Sequence, residues 1–142
     1  MASVRIQISG TNKFFPGPGR PGDAGIDLRA ARDALVPPGG RAAVATGIRI
    51  ALPPGTVGII KDRSGLALEH GVHVFAGVID ANYRGEIKIV LANLGTKPFR
   101  VARGDRVAQM LVFHCPEIRL EPVDALDETA RNENGFGSSG TR

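Results

Sequence analysis

Tryptophan is absent from this chain, cysteine occurs once, and the aromatic complement is six Phe and one Tyr. The lone Cys115 excludes an internal disulfide and fits a reducing compartment, so a cytoplasmic location is expected. Long apolar runs are missing as well. The longest run of large apolar residues is Met110-Leu111-Val112-Phe113, far short of a membrane span. The stretch from Met1 to Gly10 has one Arg and no apolar core, so no signal peptide is expected. Lys and Arg never form a run, and with so few aromatics a stacking platform for nucleic acid is poorly supported. His70, His73 and His114 have no Cys or His partner at zinc-site spacing and read as structural. Cys115, between an apolar strand and Pro116, reads as a buried thiol.

What is present describes an ordered globular chain. Its 142 residues make about one domain, long enough to bury a core without staples. Hydrophobic residues are 42% and charged residues 23%, which rules out general disorder. Glycine and proline are plentiful, 19 and 10 residues, with no Gly-X-Y period. Such a density of turn formers argues against long helices and for many short strands. The net charge of +4 favours anionic partners such as nucleotides, although solubility alone also accounts for it.

Apolar residues alternate with a period of two in several places. Val4, Ile6 and Ile8 form one set; Val44, Thr46, Ile48 and Ile50 form another around Arg49; Ile87, Ile89 and Leu91 share a third face. Val107 to Phe113 is apolar on both faces except at Gln109, the pattern of a central strand. Turn clusters such as Pro37-Pro38-Gly39-Gly40, Pro53-Pro54-Gly55 and Asn93-Leu94-Gly95 bound these runs. Short strands at this spacing predict an all-β sandwich or barrel. One short helix is expected over Leu66-Ala67-Leu68-Glu69, capped by Ser64 and ended by Gly71 in the left-handed conformation. Periodicity stops near Val123. The chain therefore divides into a strand-rich domain, 1–123, and a flexible C-terminal arm, 124–142.

Two stretches match G-x-G-x-x-G. In Gly17-Pro18-Gly19-Arg20-Pro21-Gly22 the prolines remove the amides that a phosphate loop needs, and no helix follows. Gly135-Phe136-Gly137-Ser138-Ser139-Gly140 keeps its amides, adds hydroxyls that can cradle phosphate oxygens, and carries a lone aromatic. A plain flexible tail would read the same way. Three further features stand out. Asp80 and the only tyrosine, Tyr83, share an expected hairpin bend in Gly77-Val78-Ile79-Asp80-Ala81-Asn82-Tyr83-Arg84-Gly85. Arg63 and Ser64 sit at the start of the short helix, a ready anion site. Gln109 is polar in an apolar strand and needs a partner, which a ligand could be.

Taken in order, five blocks resemble those of the homotrimeric dUTP pyrophosphatase (dUTPase) family. They are Ala24-Gly25-Ile26-Asp27-Leu28; Arg63-Ser64-Gly65-Leu66-Ala67; Gly77 to Gly85; Gly104-Asp105-Arg106-Val107-Ala108-Gln109; and Arg131 with Gly135-Phe136-Gly137-Ser138. They extend over nearly the whole chain, and five blocks in this order are highly specific.

The resemblance implies a jelly-roll-like β-barrel, the dUTPase-like β-clip, in a homotrimer with sites between subunits. It implies hydrolysis of dUTP to dUMP and pyrophosphate, which limits dUTP and supplies dUMP for dTMP synthesis. By the same resemblance Asp80 activates the water that attacks the α-phosphorus, and Tyr83 packs under the deoxyribose. Backbone at Gly77, Val78 and Ile79 reads the uracil edge. Arg63, Ser64, Gly65 and Gln109 hold phosphates, and Asp27 supports the site. The arm closes with Arg131, Gly137 and Ser138 on the phosphates and Phe136 over the base. Mg²⁺ is implied as cofactor, held mainly by the triphosphate, with no direct protein ligand. Stable binding to nucleic acid or membrane is not implied.

The chain departs from the family pattern at a few positions. Asn132 and Asn134 stand where Gly is usual, and asparagine tolerates left-handed geometry. Glu133 and Asp62 add negative charge near the expected phosphates, and Asn82 replaces a commoner Asp. Two alternatives share the fold: a dCTP deaminase relative, and a nucleotide-binding regulator with weak catalysis.

Overall fold

The computed structural model describes residues 3–17 and 19–141, with Asn12 described by its backbone alone. Pro18, within the first Gly-rich stretch, lies outside the described residues. The elements run β1 (Gln7–Gly10), a 3-10 turn (Asn12–Phe14), β2 (Ile26–Arg29), β3 (Ala34–Val36), β4 (Arg41–Ala45), β5 (Ile48–Ala51), β6 (Thr56–Lys61), α1 (Ser64–His70), β7 (Val72–Phe75), β8 (Val78–Asp80), β9 (Lys88–Asn93), β10 (Phe99–Val101) and β11 (Arg106–His114). Every pairing is antiparallel. The sheets are β1-β5, β3-β10, β2-β11-β6-β8 and β4-β9-β7. Neighbours distant in sequence, such as β2 and β11, require long crossovers, and the sheets wrap one core as a jelly-roll-like barrel.

Two of the three alternating sets are buried faces; in the first, Val4 is exposed and Ile6 and Ile8 are only partly buried, because β1 pairs with β5 alone. Ile87, Ile89 and Leu91 are all buried, as are Val44, Thr46, Ile48 and Ile50. β11 is the expected central strand, lying between β2 and β6. The run from Val44 to Ile50, however, is two strands. Its alternation continues across a break at Thr46-Gly47, where the chain passes from the sheet of β4 to that of β5. Gly47 has φ +69, and a Cβ there would approach the Ala31 Cβ to 3.1 Å, so both conformation and space call for glycine. Thr46 Oγ1 donates to the Ile87 carbonyl at 2.6 Å, which lets a polar side chain occupy a core position.

The short helix spans Ser64–His70 and ends on Gly71 at φ +67, as expected. Ser64 is not its cap. Arg63 takes that position with extended backbone, no side chain caps the helix, and Ser64 is the first helical residue. Cys115 is exposed rather than buried. β11 leaves the core after Val112, with Phe113 and His114 already exposed, so Cys115 follows the strand on the outside.

Asn93 reads as turn punctuation in the sequence, yet its side chain is fully buried. Its Nδ2 donates to the carbonyls of Val36 (3.0 Å) and Lys97 (2.7 Å), and its Oδ1 accepts from the Gly95 N–H at 2.9 Å. One amide thus joins the ends of β3 and β9 to the turn before β10. Asn93→Ala leaves these groups unpaired beside a small void. A loss of about 2–3 kcal/mol is expected, read as a lower midpoint in urea unfolding at matched protein concentration.

Candidate active site

A cleft of about 540 Å³ opens where β7 passes into β8. The connection is Ala76-Gly77, both at positive φ (60° and 109°). Gly77 lies flat on β6: its carbonyl accepts from the Ile60 N–H at 2.8 Å, and a Cβ would meet Ile60 at 3.0 Å. β8 then pairs with β6 through Val78, Ile79 and Asp80. Because β8 is the edge strand of its sheet, the other side of its backbone has no strand partner. An edge of this kind can hydrogen-bond an extended or planar ligand.

The bend that follows is not a hairpin. β8 pairs with β6 while β9 pairs with β4 and β7, so the bend connects two sheets. The Tyr83 N–H donates to the Asp80 carbonyl at 3.1 Å, and Tyr83 Oη donates to the Glu86 carbonyl at 2.9 Å. The phenol is therefore tied to its own bend, and the residue stays exposed where it lines the cleft. Glu86 is anchored in turn, accepting from the Gly47 N–H at 2.9 Å. Gly77, Val78, Ile79, Asp80 and Tyr83 all line this one cleft. Arg49 and Lys88 line it too, which the sequence did not signal. Each sits between buried isoleucines in an alternating strand and reads as an ordinary solvated position.

A second cleft, about 590 Å³, gathers Asp27, Arg63, Ser64, Gly65 and Gln109 with Arg29 and Arg106. Asp27 is shared by two arginines: Arg63 Nε lies 3.2 Å from one carboxylate oxygen and Arg106 Nη1 lies 3.4 Å from the other. Both pairs are partly exposed, the class of ion pair that contributes about 0–1 kcal/mol. Either guanidinium can turn to an incoming anion at little cost. Gln109 has a protein partner, its Nε2 donating to the Asp62 carbonyl at 2.8 Å. Its Oε1 fills the space where Gly25 would carry a Cβ, only 2.6 Å away. Glycine at 25 is what lets the amide lie against the cleft wall. Asp62 does not place its charge in this cleft. Its carboxylate turns to β7, where it meets His73 Nδ1 and the Val74 N–H.

The remaining site residues lie apart. Beyond β11 there is no strand or helix among the described residues, and the arm is exposed almost throughout. Phe136 is fully exposed, Arg131 Nε donates to the Asn134 carbonyl at 2.8 Å, and the Ser138 N–H donates to the Gly135 carbonyl at 3.0 Å. Asn132 does adopt positive φ, +42. Neither Arg131, Phe136, Gly137 nor Ser138 lines either cleft, and the two clefts share no lining residue. One chain therefore holds the expected site in three separate pieces. Among the described residues no group of three or more His, Cys, Asp or Glu could hold a metal ion. His70 packs on Phe99, ring centroids 5.2 Å apart. No described helix is long and apolar enough to cross a membrane.

Comparison with known proteins agrees over nearly the whole chain. A deoxyuridine 5'-triphosphate nucleotidohydrolase of Corynebacterium glutamicum is 48% identical over 140 residues, covering 95% of this chain and 94% of that protein. Its counterpart in Anaplasma marginale is 45% identical over 147 residues, covering 99% and 100%. Among solved structures, the dUTPase of Staphylococcus bacteriophage 80alpha with dUPNHPP superposes with a TM-score of 0.89 at 24% identity, covering 96% of this chain and 99% of that one. Native EIAV dUTPase superposes at 0.73 with 26% identity, covering 93% and 100%. The edge strand with its acid-bearing bend, the arginine-sharing Asp27 and the jelly-roll-like barrel thus occur in a chain whose residues 11–140 match the dUTPase family model, and the chain belongs to that family.

Proposed function

We infer that the chain hydrolyses dUTP to dUMP and pyrophosphate, and that Asp80 is the base. The observation that carries this reading is the first cleft: an open edge strand, a tethered tyrosine ring and an exposed carboxylate converge there in a member of the dUTPase family. Uracil hydrogen-bonds the free backbone edge of β8 at Gly77, Val78 and Ile79. The deoxyribose lies over Tyr83, where the ring leaves no room for a 2′-hydroxyl. Asp80, at the end of β8, accepts a proton from water. The water oxygen bonds to the α-phosphorus as the bond from that phosphorus to the bridging oxygen breaks, and pyrophosphate departs. Positioning and charge neutralisation carry most of such a reaction.

The triphosphate needs Arg63, Ser64, Gly65 and Gln109, which lie in the other cleft of the same chain. We read the separation as a sign that neighbouring copies complete each site, in a homotrimer, with the arm of residues 124–142 closing over it. Arg131, Gly137 and Ser138 then meet the phosphates, and Phe136 stacks on the base. Mg²⁺ fits this donor set as a companion of the triphosphate: of the carboxylates that line the phosphate cleft, Asp23, Asp27 and Glu69, Asp27 is already shared by two arginines, and the three form no metal-holding group. When bound it neutralises phosphate charge.

Asp80→Asn is expected to bind a non-hydrolysable dUTP analogue within a few-fold of the unaltered protein. Its kcat should fall by about a hundredfold to ten-thousandfold. Near-normal turnover would remove Asp80 from the role of base.

Tyr83→Ala should reduce the preference for dUTP over UTP, measured as the ratio of the two kcat/KM values, while Tyr83→Phe preserves it. An unchanged ratio in the alanine variant would place sugar discrimination elsewhere.

Ending the chain after Ala130 should leave the melting temperature nearly unchanged, because none of the described residues beyond that point is buried. kcat/KM should drop by about three orders of magnitude or more, as on loss of a charge-stabilising arginine. Sedimentation should give a trimer for both proteins. Mixed trimers of truncated and Asp80→Asn chains should regain activity that neither has alone.

A further inference from the structure

Asp62 joins β6 to α1 and directly precedes Arg63. We propose that Asp62 is a positioning residue for the triphosphate, clamping the β6–α1 corner to β7 so that Arg63, Ser64 and Gln109 face the phosphate cleft. The proposal rests on the reading of Arg63 and Ser64 as triphosphate ligands and adds a residue that touches no substrate.

The clamp is built from both ends of the residue. Oδ1 of Asp62 accepts from the Val74 N–H at 2.5 Å, and Oδ2 lies 2.6 Å from His73 Nδ1. Its backbone carbonyl accepts from Gln109 Nε2 at 2.8 Å. One residue thus ties β7 and β11 to the corner between them. β7 is the edge strand of its sheet, and the N–H of buried Val74 points away from β9. Without Asp62 that donor would be orphaned, so the carboxylate meets a need of the fold as well. The His73 ring stands edge-on to Phe75, centroids 5.8 Å apart, which fixes the second tether.

Position is transmitted to the cleft over one bond. Arg63 has extended backbone (φ −91, ψ 126), and the helix begins at the next residue, so the corner has little slack. A shift of Asp62 moves the Arg63 guanidinium relative to Asp27 and, through the shared carbonyl, moves Gln109. Two candidate phosphate ligands follow one lever. Val74 and Phe75 of the same strand also line the nucleoside cleft, but there β7 is held by its pairing with β9 (Val74 with Leu91, Phe75 with Val90), and β8 by its pairing with β6.

The test measures binding of a non-hydrolysable dUTP analogue with Mg²⁺, and of dUMP, by titration calorimetry on the full chain, beside steady-state kinetics. Asp62→Ala is expected to weaken the analogue by about tenfold to a hundredfold, the effect of misplacing a positioned group by about 1 Å. KM should rise with a smaller change in kcat, and dUMP affinity should hold. Asp62→Asn keeps an acceptor for the Val74 N–H and should recover most of the affinity. Asp62→Glu keeps the charge but pushes the corner outward by a methylene, and should weaken the analogue as alanine does; it decides the matter if the alanine variant does not fold. Arg63→Ala is the control. If Arg63→Ala weakens the analogue while Asp62→Ala and Asp62→Glu do not, or if Asp62→Asn is as weak as alanine, the clamp is overturned. If Arg63→Ala itself binds normally, the reading of the phosphate cleft falls, and the clamp with it.

Discussion

Thr46 and Gly47 are where the chain leaves one sheet for another, and the crossing survives in the core because its N–H groups and the Thr46 hydroxyl have partners. The Thr46 N–H and Oγ1 both reach the Ile87 carbonyl, the Ile87 N–H reaches the Ile48 carbonyl, and the Gly47 N–H reaches the Glu86 carboxylate. A buried strand break left unpaired would cost more than most core contacts return. The seam also sets the bend at the first cleft. Glu86 is held from Gly47 by its side chain and holds Tyr83 Oη by its carbonyl, so the core crossing and the ring at the cleft belong to one chain of bonds.

Edge strands divide the work of the molecule. β8 ends the four-stranded sheet with one backbone side free, and that is the surface proposed to read the base. β7 ends the three-stranded sheet, and its outward N–H at Val74 is covered by Asp62. An open edge normally invites unwanted pairing. Here one edge is only three residues long and bends sharply, and the other is capped by a carboxylate, so neither presents a long flat ladder.

Charge is arranged for exchange rather than for stability. Asp27 shares its oxygens between Arg63 and Arg106 at partial exposure, where ion pairs add little. A polyanion that replaces Asp27 as partner gains strong charge-assisted bonds while the barrel gives up little.

Much of the barrel was legible in the sequence because its signals are local. Alternation over two residues marks the buried faces of Ile87, Ile89 and Leu91, and left-handed Gly71 marks the helix end. The candidate site residues were singled out only through five ordered blocks, since Asp80, Arg63 and Phe136 taken singly resemble a turn acid, a surface cation and a tail aromatic. Arg49 and Lys88 escaped because a cation on a strand's outer face looks the same whether it borders a cleft or water.

Composition and alternation alone determined that this chain would be an all-β sandwich or barrel with one short helix and a tail beyond the last strand, since strand, turn and helix-end preferences act within a few residues. Only the tertiary structure decided that the Val44–Ile50 run breaks in two, that the Asp80 bend joins separate sheets, that Cys115 is exposed and that Asn93 is a buried hub. It also turned Asp62 away from the phosphate cleft, toward Val74, and brought Asp27 to Arg106 across 79 positions. Those outcomes depend on which strands lie side by side, a choice made by packing the whole core and invisible to any short window of residues.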